Sequence, residues 1–293
     1  MSGRLFVLGA GLCWSFAGVC VKLAEPLNGW QIAGFRSLIA FLFLAIVLKP
    51  WCQGQFPSLK VCLLSLAYAV MLILFILANT LTSPANAIFL QDTAPIWVAL
   101  ISPFMVKEYP KKSDLLVLLL CILGIGLLFM ESSVSGDKLA GKAPLYGNLL
   151  AVLSGIGFGV VIVGLRWGRP KGEPNQSKGH LTDSEQIVLW GNFLCFVLTL
   201  PFLADSPSVS LYPTSYAVML FMGTIQLGLG YYFLTIGVAR VTALESSLLI
   251  LIEPAFNPIW ILFYFGTVPS TWTLSGGAVI LFALIVQAIL KPR

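Results

Sequence analysis

Two carboxylates stand where a carboxylate is costly. Asp92 lies in the stretch PANAIFLQDTAPIWVALISPFMV, from Pro84 to Val106, which is apolar enough for lipid yet also holds Asn86, Gln91 and Thr93. Pro95 has no N–H to give to the carbonyl of Gln91, so a backbone acceptor is freed beside the acid. Asp92 is eight residues past Pro84, roughly 12 Å along a helix and so near the middle of a bilayer. An ionisable side chain at that depth reads as a functional site by default. Glu253 has a matching place. Leu90, Pro95, Phe104, Pro110 and Leu115 recur 159 residues later as Leu249, Pro254, Phe263, Pro269 and Leu274, with Glu253 beside Pro254.

Acids beside proline-freed carbonyls can hold an ammonium or another hydrogen donor, or can exchange a proton. Asn257 shares a helix face with Glu253 at i, i+4. Trp14 and Tyr68 fall mid-span, and Gln226 and Tyr231 flank Gly228 and Gly230. With Asn86, Asp92 and Glu253 these form the candidate substrate site. Arg36 and Glu245 are candidates for a gate or an anion clamp, since a guanidinium fork suits a carboxylate or phosphate. Blander roles compete: a protonated, packed Asp92; a hinge helix at Glu253; Arg36 near the outer surface paired with Glu25; Glu245 paired with Arg240 or reaching the interface. The glycines of Gln226's neighbourhood, like Gly155, Gly157 and Gly159, fit close helix approach. Glu108 among Lys107, Lys111 and Lys112 is expected to fix topology and close a turn, and His180 to be solvated.

The elements that must position these residues follow from composition. The chain is 58% hydrophobic and only 10% charged, where soluble chains are roughly a quarter charged. Apolar runs near the length of a bilayer span recur throughout, so the class is an all-α polytopic membrane protein. Ten spans are expected: 4–24, 31–48, 59–78, 84–106, 113–130, 145–165, 185–203, 214–238, 242–265 and 272–290. The six cysteines are scattered singly and read as free thiols. No metal or cofactor site is expected, and the lone histidine leaves little for an enzyme to work with.

Basic residues give the orientation. With a cytoplasmic N-terminus, Arg4, Lys49, Lys60, Lys107, Lys111, Lys112, Arg166, Arg169, Lys171, Lys178, Arg240, Lys291 and Arg293 lie inside, against Lys22, Lys138 and Lys142 outside. Both termini are therefore expected in the cytoplasm. The net charge of +5 needs no nucleic acid. Five spans per half is odd, so similar halves enter the membrane from opposite faces, the inverted-repeat plan of many secondary transporters. The first spans correspond at a smaller offset, Gly11 with Gly155, Trp14 with Phe158 and Lys22 with Arg166. The repeats are expected at 1–131 and 145–291, with a loop insertion at about 168–182 in the second.

Several stretches carry a family resemblance. AIFLQDTAPIWVALISPFMVKEYP and LLILIEPAFNPIWILFYFGTVP, with GLCWSFAGVCVKL and AGFRSLIA, resemble the motifs of EamA-type transporters of the drug/metabolite transporter superfamily. The resemblance implies ten helices as two inverted five-helix repeats around a central cavity, working by alternating access. The chain departs from that pattern at Asp92, where an uncharged residue is commoner, and at Thr267, which stands where the first repeat has Glu108. The expected function is an inner-membrane secondary transporter or facilitator of small polar metabolites, with export of amino acids or related compounds as the concrete reading. Protons are the candidate coupling partner. An organic-anion or nucleotide-linked substrate is the alternative, and an integral membrane enzyme or a non-transporting membrane protein the reading from another class. Monomer and homodimer stay open.

Overall fold

The computed structural model describes residues 3–24, 27–50, 56–82, 84–134, 143–169, 180–203, 213–266, 268 and 270–290. Among them the chain is helical and contains no strand. The first half runs α1 (Gly3–Trp14), α2 (Ala17–Leu23), α3 (Gly29–Leu48), α4 (Leu59–Leu81), α5 (Pro84–Gln91), α6 (Ala94–Met105) and α7 (Lys112–Val134). The second runs α8 (Pro144–Trp167), α9 (Asp183–Thr199), α10 (Pro213–Phe221), a π-helical segment (Met222–Leu229), α11 (Gly230–Val238), α12 (Ala243–Ile250), α13 (Ile252–Phe265) and α14 (Thr271–Leu290). Nine helical runs among the described residues are long and apolar enough to cross a membrane, counting α1–α2, α5–α6, α10–α11 and α12–α13 as one run each. The 23-residue α7 stands beside them, packed along α14.

The starts of these helices are written locally. Asn28 accepts from the backbone N–H of Gln31 at 2.9 Å, and the Gln31 side chain accepts from the Asn28 N–H at 3.1 Å. Thr182 and Glu185 form the same reciprocal box at the start of α9, and Ser58 and Thr242 cap α4 and α12. Each satisfies donors that the first turn of a helix leaves without intrahelical partners.

The packing pairs answer one another across the two halves. α4 lies on α8 as α11 lies on α1, and α4 meets α9 as the π-helical segment meets α3. α6 rests on α8 as α12 and α13 rest on α1, while α3–α9 and α7–α14 are their own counterparts. The bundle is thus two inverted five-span repeats. Its outer surface is apolar, with Ile46, Leu63, Phe104, Leu119 and Ile289 all exposed, as contact with lipid requires.

Four spans are interrupted. The breaks at Asp92–Thr93 and at Leu251 are the two foreseen from Pro95 and Pro254. The interruption of the first span at Ser15–Phe16 and the π-helical stretch of the eighth were not foreseen. At Ser15 no proline is involved. Its hydroxyl donates to the Leu12 carbonyl at 2.7 Å and accepts from Trp260 Nε1 at 2.8 Å, and such back-bonding bends helices. The Thr93 hydroxyl does the same to the Leu90 carbonyl at 2.7 Å.

Candidate functional site

Each proline-linked break is seated on a glycine of another span. A Cβ added at Gly155 would stand 2.8 Å from the Leu90 carbonyl oxygen and 3.1 Å from that of Gln91. One added at Gly11 would stand 3.1 Å from the Ile250 carbonyl oxygen and 2.6 Å from Ile252 Cγ2. Gln91 and Ile250 hold the carbonyls that Pro95 and Pro254 cannot fill. They are equivalent at the offset of 159, and Gly11 and Gly155 are the pair aligned at the other offset. The backbone therefore packs closely in both halves at the points where the helices open.

Beside these breaks lies a cavity of about 40 Å³. Trp14 and Ala17 contribute from the first span, Arg36 from α3, Met71, Leu72 and Phe75 from α4, and Gln91 from α5. Phe158 comes from α8, Gln226 and Leu227 from the π-helical segment, Tyr231 from α11 and Glu253 from α13. Both repeats build it, at mid-depth in the bundle. Its volume holds a water or two, so the walls must part to seat a metabolite.

Counterparts meet near the pseudo-two-fold axis. The Trp14 and Phe158 rings are 5.6 Å apart, and Trp14 and Tyr231 are 4.7 Å apart. Tyr68 meets Tyr231 edge-on at 4.7 Å, and its hydroxyl accepts from Asn192 Nδ2 at 3.1 Å. Tyr68 is fully buried behind the cavity wall.

The charged groups divide. Glu253 lines the cavity and is 7% exposed. Asp92, 3% exposed, is not among the lining residues; its neighbour Gln91 is. Asp92 Oδ2 is buried without a hydrogen-bond partner. Gln91 Nε2 donates to Ser154 Oγ at 2.8 Å, which donates in turn to the Met71 carbonyl at 3.1 Å. Asn257 is buried against Gly18 with its Oδ1 unpartnered, and Asn86 sits in the first turn of α5 away from the lining.

Arg36 differs from expectation. It lies two turns into α3, because that helix starts at Gly29 rather than Gln31. It is 2% exposed and lines the cavity with Glu253. Its Nη2 donates to the Leu72 carbonyl at 3.5 Å, while Nε is buried without a partner; Glu25 is outside the described residues. Trp14 Nε1 and Gln226 Oε1 are likewise buried and unpartnered. The cavity thus presents spare donors and spare acceptors together. The π-helical segment that carries Gln226 had no sequence signal, although such segments favour functional sites.

Glu245 accepts from Arg4 Nε at 2.7 Å, a partner from the far end of the sequence, and Arg240 lies over the Phe6 ring at 5.9 Å. Glu108 does more than close a turn: it accepts from Arg166 Nε at 2.8 Å and from the Ala243 N–H at 2.8 Å. Arg169, expected in a loop, is fully buried and bonded to Glu185 at 3.2 Å; residues 170–179 lie outside the description. His180 is exposed.

Comparison with known proteins agrees with this architecture. Two proteins named "Uncharacterized transporter", from Helicobacter pylori strains 26695 and J99, are 26% and 25% identical over 172 residues. Each match covers 56% of this chain and 55% of the relative, about half the length of either. A solved crystal structure superposes with a TM-score of 0.77 at 17% identity, over 98% of this chain and 96% of that one, which speaks to the fold alone. The profile of the EamA-like transporter family matches residues 1–130 and again 145–288, and the chain belongs to that family of membrane transporters.

Proposed function

We propose that this transporter carries small zwitterionic metabolites, amino acids or close relatives, out of the cytoplasm by alternating access. The observation behind this reading is that Arg36 and Glu253 share the walls of one mid-depth cavity. They form no direct ion pair: the salt bridges among the described residues are elsewhere. A guanidinium suits a carboxylate, and a buried carboxylate needs a cation or strong donor beside it. An α-amino acid brings both charges at once. Trp14 Nε1 and Gln226 Oε1 add a donor and an acceptor, and the aromatic and aliphatic walls suit the rest of the molecule. Broken helices at mid-depth are where secondary transporters hold substrate. A purely anionic substrate would meet Arg36 but be opposed by Glu253 and Asp92, so it ranks second.

The test is a thermal-shift screen of metabolites on purified protein. Zwitterionic amino acids should raise the Tm of the wild type. The shift should vanish in Glu253→Gln and Arg36→Gln and weaken in Asp92→Asn, while each variant still elutes as folded protein. Retention of the full shift in all three would place the substrate elsewhere.

A further inference from the structure

We infer that Glu108 is the latch closing one end of the bundle. The inference rests on the alternating-access reading above. Glu108 lies in the turn after α6, in the first repeat, and both its oxygens are used by the second. Oε1 accepts from Arg166 Nε on α8 at 2.8 Å, and Oε2 from the Ala243 N–H that opens α12 at 2.8 Å. Arg166 is buried, and the Glu108 side chain is 17% exposed. A charged acceptor roughly doubles the strength of each bond, and a carboxylate at a helix N-terminus also complements the helix dipole.

The same end carries further ties. Arg4 of α1 pairs with Glu245 of α12 at 2.7 Å, again across the repeats. Arg166 Nη1 donates to the Arg169 carbonyl at 2.9 Å, and Arg169 Nη1 donates to Glu185 at 3.2 Å and to the Thr235 carbonyl at 3.4 Å. At the opposite end the contacts among the described residues include Thr82 to Asn148 at 2.8 Å, Gln31 to the Leu203 carbonyl at 3.5 Å, and Lys22 over the Phe265 ring at 5.2 Å. The ion pairs Arg4–Glu245, Arg166–Glu108 and Arg169–Glu185 lie together at the Glu108 end. In sequence, the position equivalent to Glu108 in the second repeat is Thr267, which carries no charge. To admit a substrate from the Glu108 end, α8 and α12 must leave the same carboxylate together.

Spin labels at Lys112→Cys and His180→Cys, in a background with Cys52 and Cys62 changed to serine, report the separation of the two repeats at this end without any ligand. The parent protein should show one narrow distance distribution. Glu108→Gln and Arg166→Gln should each add a longer separation, raising its population at least several-fold. An unchanged distribution in folded variants overturns the inference. So does loss of monodisperse elution in both, which would make the network a matter of stability alone. Neither outcome bears on the substrate, which the thermal-shift screen judges separately; a shifted distribution with no amino-acid binding would remove the substrate reading and leave the latch.

Discussion

Arg36 shows how much a residue's meaning depends on its depth. The sequence places it near the outer surface, whereas packing puts it on the cavity wall, opposite in charge to Glu253. If its fork grips a carboxylate in two-point fashion, Arg36→Lys keeps the charge and loses the geometry. The expected result is at least a ~10-fold rise in Kd for an amino acid, about 1.4 kcal/mol, measured by calorimetric titration; an unchanged Kd would mean that only the charge matters. Glu108 carries the same lesson. Its partner Arg166 lies far away in sequence, so proximity along the chain pointed to a turn instead. Arg169→Ala should lower stability by about 3–5 kcal/mol by leaving the buried Glu185 without its cation, seen as a lower Tm at unchanged ligand affinity.

At the scale of the element, the prolines announced the breaks in the fourth and ninth spans, while the glycines that seat them became intelligible only through packing. Gly11→Val and Gly155→Val both push into a neighbouring backbone carbonyl, and each should cost about 1–3 kcal/mol through overpacking. Gly126 on α7 has nothing within 4 Å of an added Cβ, so Gly126→Ala should leave the Tm unchanged or slightly raised. Equal losses at all three positions would refute the seat. The break at Ser15 and the π-helical segment were not legible, because one comes from a hydroxyl pair with Trp260 across the bundle and the other leaves the apolar pattern of its span intact.

For the molecule as a whole, the transport cycle is testable in vesicles. Protein in liposomes with an imposed pH gradient should move a substrate amino acid; gradient-driven flux marks proton antiport, and flux indifferent to the gradient marks facilitated diffusion. Glu253→Gln should abolish the flux in either case, and persistent flux in that variant would move the site away from the break. Hydropathy determined the all-helical membrane class by itself, since every backbone polar group in lipid must be satisfied within its own helix. The doubled motif, together with an odd number of spans in each half, determined the inverted plan. Tertiary structure alone decided which charges meet: Arg36 and Glu253 at one cavity, Asp92 beside that wall, Glu108 across the repeats. Periodicity tells which face of a helix is buried, but the partner of a buried charge is set by how helices from the two halves cross, and that geometry is not written in any one stretch of chain.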